Sequence, residues 1–88
     1  MITKKLTVLN ELGLHARVAC RITRKANEFE SSICIIKNGK SFDLKSVMGV
    51  ITTNARQGDE VVLEFNGPDE VKAAKEMEDL FFNKFGER

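Results

Sequence analysis

The apolar positions of this chain change their period several times. Over Ile2 to Leu9 they alternate roughly, with Lys4, Leu6 and Val8 on one side and Lys5, Thr7 and Leu9 on the other. That alternation and the β-branched content predict a strand. Asn10-Glu11-Leu12-Gly13-Leu14 is a polar, glycine-containing turn. From Ala16 the period lengthens. Ala19, Ile22, Ala26 and Phe29 recur at three- and four-residue steps, which predicts a helix of about four turns. Arg17, Arg21, Arg24, Lys25 and Glu28 fall largely off its buried face. Ile33 to Ile36 form a short apolar run in a second strand, Ser32 to Lys37, and Lys40 to Leu44 form a third. Between them stands Asn38-Gly39, whose tolerance of positive φ makes it a strong hairpin signal. Ser46 to Thr53 carries Val47, Met48, Val50 and Ile51 and is long enough for one or two helical turns. After Gly58, Glu60 to Phe65 alternates as a fourth strand. Asn66-Gly67-Pro68 is a turn, and Pro68-Asp69-Glu70 opens a last helix with proline and acids in its first turn. Val71, Ala74, Met77 or Glu78, Phe81 and Phe85 mark its expected buried face.

The element order is therefore β-α-β-β-α-β-α. It predicts an α+β open-faced sandwich: a four-stranded antiparallel sheet covered on one face by three helices, with the other face solvated. At 88 residues the chain has room for one core, so residues 1–88 are expected to form one domain. Hydrophobic residues make up 42% and charged residues 31%, an ordinary globular balance. A net charge of +1 lacks the basic excess of a dedicated nucleic-acid binder. No apolar run reaches the roughly 20 residues of a membrane span, so no membrane insertion is expected. Met1 to Lys5 lacks the apolar stretch of a signal peptide, and Cys20 and Cys34 are expected to be reduced thiols in the cytoplasm. One histidine and two cysteines make no recognisable metal site, and neither a metal nor a cofactor is expected.

Three features could carry chemistry. His15 lies where the glycine turn ends and a helix begins, so it meets free backbone N–H groups and the positive end of the helix dipole. That position disfavours an imidazolium and welcomes an anion attached to the ring. Arg17 can offer a planar guanidinium to the same oxyanion. Taken alone, His-x-Arg is a weak pattern, and a capping or solvated histidine explains it more readily. Ser46, before an apolar turn, is first of all an N-cap; it is also a place where phosphate would be tolerated electrostatically. Arg17, Arg21, Arg24 and Lys25 form either a solvated helix face or an electrostatic docking face.

The two motifs together change the weight of each. Gly13-Leu14-His15-Ala16-Arg17 followed by Leu44-Lys45-Ser46-Val47-Met48-Gly49-Val50 closely resembles the histidine-phosphocarrier family, HPr, of the bacterial phosphoenolpyruvate-dependent phosphotransferase system. The likeness spans essentially the whole chain. It implies that His15 accepts a phosphoryl group from phospho-Enzyme I and relays it to an Enzyme IIA. It implies that Arg17 stabilises that phosphate, and that Ser46 is a regulatory site for an HPr kinase/phosphorylase where one exists. Docking through the first and second helices carries over to Ala16, Arg17, Cys20, Arg21, Arg24, Val47, Met48, Gly49 and Ile51. A carrier of this kind is a stoichiometric relay, not a turnover enzyme, and is expected to be monomeric.

Two departures from the family pattern stand out. Its motif usually reads Gly-x-His-Ala-Arg-Pro, and here the sixth place is Val18. The Asn66 to Gly86 segment is more like the family's nitrogen-related branch, whereas the Ser46 region is more like its sugar branch. Two rival readings stay open at this point. One is a regulatory binder controlled through Ser46 with little phosphotransfer. The other is a small acyl-phosphate hydrolase on a similar scaffold.

Overall fold

The structure is a computed structural model that describes all residues, 1–88. Its elements run β1 (Ile2–Thr7), α1 (Ala16–Ala26), β2 (Ser32–Lys37), β3 (Lys40–Asp43), α2 (Val47–Thr52), β4 (Glu60–Asn66) and α3 (Glu70–Phe82). A 3₁₀ turn, Lys84–Gly86, follows. The sheet order is β1-β4-β2-β3 and every pairing is antiparallel. Asn38 and Gly39 both take positive φ, 52° and 78°, so the β2–β3 hairpin closes as the dipeptide predicts.

Register decides which residues the helices cover. Ile2, Phe65 and Ile33 lie in one cross-strand row, and Lys4, Leu63, Ile35 and Phe42 in another, both on the helix-covered face. Phe65, Ile33, Leu63 and Ile35 are buried there beneath Val18, Ala19 and Ile22 of α1, Val50 of α2, and Met77 and Phe81 of α3. The alternate rows, Thr3–Glu64–Cys34–Asp43 and Lys5–Val62–Ile36–Ser41, face away from the helices. No helix is long and apolar enough to cross a membrane.

Three expectations need correction. Helix α1 stops at Ala26, and Phe29 reaches the core from the turn beyond it. In that turn the N–H groups of Glu28 and Phe29 donate to carbonyls three residues back, which tightens the exit. Val71 is 72% exposed. The buried face of α3 centres on Ala73, Ala74, Met77 and Phe81, and at 3.6 residues per turn Val71 lies about 120° around from Met77. Phe85 is buried but not as part of α3. Lys84 and Phe85 take φ of 56° and 58°, the chain turns back, and the Phe85 ring stacks edge-on against Phe81 at 4.7 Å.

Asp69 occupies the N-cap place of α3 without capping it. Its carboxylate accepts from the backbone N–H groups of Glu30 and Ser31, both at 2.9 Å, and from the Ser31 hydroxyl. The Ser31 hydroxyl, followed by the Glu30 N–H, holds the Asp69 carboxyl down at about 2. Glu70 supplies the local closure instead. It accepts from the Gly67 N–H at 3.1 Å and pairs with the amino terminus at 3.0 Å.

Candidate functional site

The turn before α1 is built to deliver His15. Gly13 has φ 68°, and a Cβ on it would stand 2.5 Å from the Ala55 carbonyl oxygen, so a side chain there is excluded by both conformation and space. Leu14 N–H donates to that same carbonyl at 3.0 Å, and the buried Asn10 side chain donates to Gly13 O at 2.7 Å. His15 then takes the N-cap position of α1 in extended conformation, and no side chain caps the helix. The first backbone bond of α1 runs from Ala19 N–H to His15 O, 2.8 Å, which leaves the N–H groups of Ala16, Arg17 and Val18 without an intrahelical acceptor.

The two ring nitrogens of His15 differ. Nε2 is buried and makes no hydrogen bond; Nδ1 is not among the buried unpartnered atoms. Oε1 of Glu87 lies 3.5 Å from Nε2. Glu87 lies 70 residues beyond Arg17, yet Arg17 grips it with two parallel bonds, Nε to Oε2 at 2.9 Å and Nη2 to Oε1 at 2.7 Å. Arg21 adds a third, Nη1 to Oε2 at 2.9 Å, and also donates to the Phe85 carbonyl. The imidazole and the Arg17 guanidinium thus meet at one carboxylate oxygen. The Arg17 fork, with the charges of Arg17, Arg21 and His15, holds the Glu87 carboxyl below the usual carboxylate range.

This arrangement alters the expected docking face. Of its four cations, Arg17 and Arg21 are tied to Glu87, and Lys25 pairs with Glu76 at 2.7 Å and with Glu28 at 3.5 Å. Arg24 is exposed and has no ion pair. Ala16 and Cys20 are exposed on the same helix. On α2, Met48 is 67% exposed, while Val47, Gly49 and Ile51 are half-buried. Ile51 shares a hollow with His15, Leu12 and Leu14, so α2 does come beside the His15 ring. Gly49 has a structural reason to be glycine: a Cβ there would lie 2.8 Å from the Asp43 carbonyl oxygen. Ser46 caps α2, its hydroxyl accepting from Gly49 N–H at 3.1 Å.

Glu87 is the site residue that sequence reasoning missed. A single acid near the end of a chain, 70 positions from its partner, carries no local signal. Only the positive-φ turn at Lys84 and Phe85 brings it back.

Comparison with known proteins gives a consistent likeness. The family described as the PTS HPr component phosphorylation site matches residues 2–83. A phosphocarrier protein HPr of Cupriavidus necator is 41% identical over 87 residues, covering 99% of this chain and 98% of the relative. One of Treponema pallidum is 42% identical over 87 residues, covering 99% of each. The crystal structure of HPr-C-His from Thermoanaerobacter tengcongensis superposes with a TM-score of 0.96 at 38% identity, covering 100% of this chain and 99% of that one.

Proposed function

The chain belongs to the HPr family of phosphocarrier proteins of the phosphotransferase system, and from that premise we propose that His15 is its phosphoryl acceptor, loaded by phospho-Enzyme I and unloaded by an Enzyme IIA. The observation that carries this reading is the setting of the His15 ring: its Nε2 is buried beside a carboxylate, and the ring stands at the N-cap of a helix whose first three N–H groups have no intrahelical acceptor. A carboxylate opposite Nε2 favours the tautomer with its hydrogen there, which leaves the Nδ1 lone pair for attack.

In the transfer, that lone pair forms a bond to phosphorus as the donor's nitrogen–phosphorus bond breaks, and the bonding electrons return to the donor ring. The phosphoryl oxygens then lie near the unpaired N–H groups at the head of α1, whose donors stabilise charge that grows there. Arg17 steadies the phosphate as a second donor once its guanidinium turns from Glu87 to the phosphoryl oxygens. The reverse sequence passes the group on, so the chain is consumed and regenerated stoichiometrically and does not act as a turnover enzyme. The exposed parts of α1 and α2 around His15, with Arg24, Met48 and Ile51 on them, form the docking face. Ser46 is its regulatory position, and no nucleic acid takes part.

The test is incubation with Enzyme I and radiolabelled phosphoenolpyruvate. Acid-labile label is expected on the parent chain and none on His15→Ala, which should keep its thermal midpoint because the ring is not part of the apolar core. Undiminished labelling of the variant would sink the assignment.

A further inference from the structure

We infer that Glu87 tunes the transfer: by competing with the phosphoryl group for Arg17 and Arg21, it keeps phosphohistidine at His15 labile. This rests on His15 being the acceptor. The carboxylate is delivered by a built arm. Phe85 is buried against Phe81, its carbonyl accepts from Arg21, and the Arg88 carbonyl accepts from the Glu11 N–H in the turn that presents His15. Glu87 ends up 11% exposed between three cationic or ionisable side chains, although Arg17 itself is 62% exposed.

Competition follows from geometry and charge. The Nε–Nη2 edge of Arg17 is the edge that matches two oxygens of a planar or tetrahedral anion, and Glu87 already fills it. A phosphoryl group on the ring brings close to two further negative charges beside that carboxylate. Either Arg17 leaves Glu87 for the phosphate, or the phosphate stands next to an unrelieved like charge. Both raise the free energy of the phosphorylated chain relative to one without the carboxylate, which favours onward transfer. Glu87 takes no part in bond making: when the group leaves, the phosphorus–Nδ1 bond breaks, its electron pair stays on Nδ1, and phosphorus bonds to the next nitrogen or to water.

Glu87→Gln keeps the shape and an acceptor oxygen but removes the charge. In the intact chain, inorganic phosphate titrated against the ring resonances of His15 is expected to bind about fivefold more tightly to this variant than to the parent, the scale of one partly exposed charge pair. Equal or weaker binding overturns the inference. After loading from Enzyme I and phosphoenolpyruvate, the variant's acid-labile label should persist about fivefold longer than the parent's, the same charge-pair scale. An equal or shorter lifetime also overturns it. Glu11→Gln removes a nearby charge that makes no ion pair with His15 or the arginines, and an equal effect from it would reduce Glu87 to general electrostatics and overturn the specific role. A parent chain that takes no label on His15 would instead defeat the carrier reading, while the phosphate titration still decides whether Glu87 competes for the arginines.

Discussion

Ser46 holds its hydroxyl on the Gly49 N–H at the head of a helix only six residues long. A helix that short has little stability of its own, so its cap matters more than usual. Ser46→Ala is expected to cost about 1 kcal/mol in a denaturant titration. Ser46→Asp keeps an acceptor at the same place and adds charge at the positive end of the helix dipole, so its thermal midpoint should be unchanged or slightly raised. The same added charge lies on the proposed docking face and should weaken binding to Enzyme I. Calorimetry and a binding isotherm on one Ser46→Asp sample check both halves; a lowered midpoint together with lost binding would mean that the charge acts through the fold. Residue-scale reasoning about Ser46 could be done from its neighbours in sequence. For His15 it could not, because the group facing Nε2 comes from the far end of the chain.

Helix α1 combines two demands. Its first turn leaves three N–H groups open, and Val18, the last of these residues, is 0% exposed. Val18→Pro therefore fits the backbone, because no hydrogen bond is lost, but it exchanges a packed isopropyl group for a ring. The expected outcome is a folded variant within about 1.5 kcal/mol of the parent, read from denaturant midpoints, with phosphoryl acceptance retained. A larger loss would show that packing at Val18 dominates over the favourable φ of proline. The outer face of α1 makes a second prediction. With Arg17, Arg21 and Lys25 in ion pairs, Arg24 is the cation best placed to steer an acidic partner. Association with Enzyme I should slow as salt rises, and Arg24→Glu should lower the on-rate more than it raises the off-rate. Stopped-flow rates at two ionic strengths check this, and a salt-independent on-rate would rule out steering.

Across the whole molecule, two carboxylates join distant segments: Asp69 ties the head of α3 to residues Glu30 and Ser31, and Glu87 ties the tail to α1. Both are held below their ordinary values, Asp69 at about 2 against 3.8. A folded value below the unfolded one means stability that is present above the unfolded value and lost as pH falls through the folded one. The midpoint should thus be flat above about pH 5 and decline as pH falls from there through about 2. Asp69→Asn should lower the midpoint near neutral pH and flatten that decline, so that the two proteins converge in acid. Thermal melts across this range check the sign; a difference that grows as pH falls would contradict it.

The strands, the hairpin at Asn38-Gly39, the short helix opened by Ser46 and the antiparallel open-faced sheet were legible in the sequence, because period, turn chemistry and capping act over a few neighbouring residues. So was the place of His15 and Arg17, two positions apart at one helix start. Element ends were less legible, since Phe29 and Phe85 carry the apolar signal of a helix face while reaching the core from turns. The exposure of Val71 depends on where the sheet lies beneath α3, and the cationic face of α1 depends on which acids fold over it. The surroundings of the His15 ring were decided by tertiary structure alone. Electrostatic contacts have no sequence period, and two positive-φ residues at 84 and 85 turn the chain so that Glu87 meets Arg17, Arg21 and His15 together.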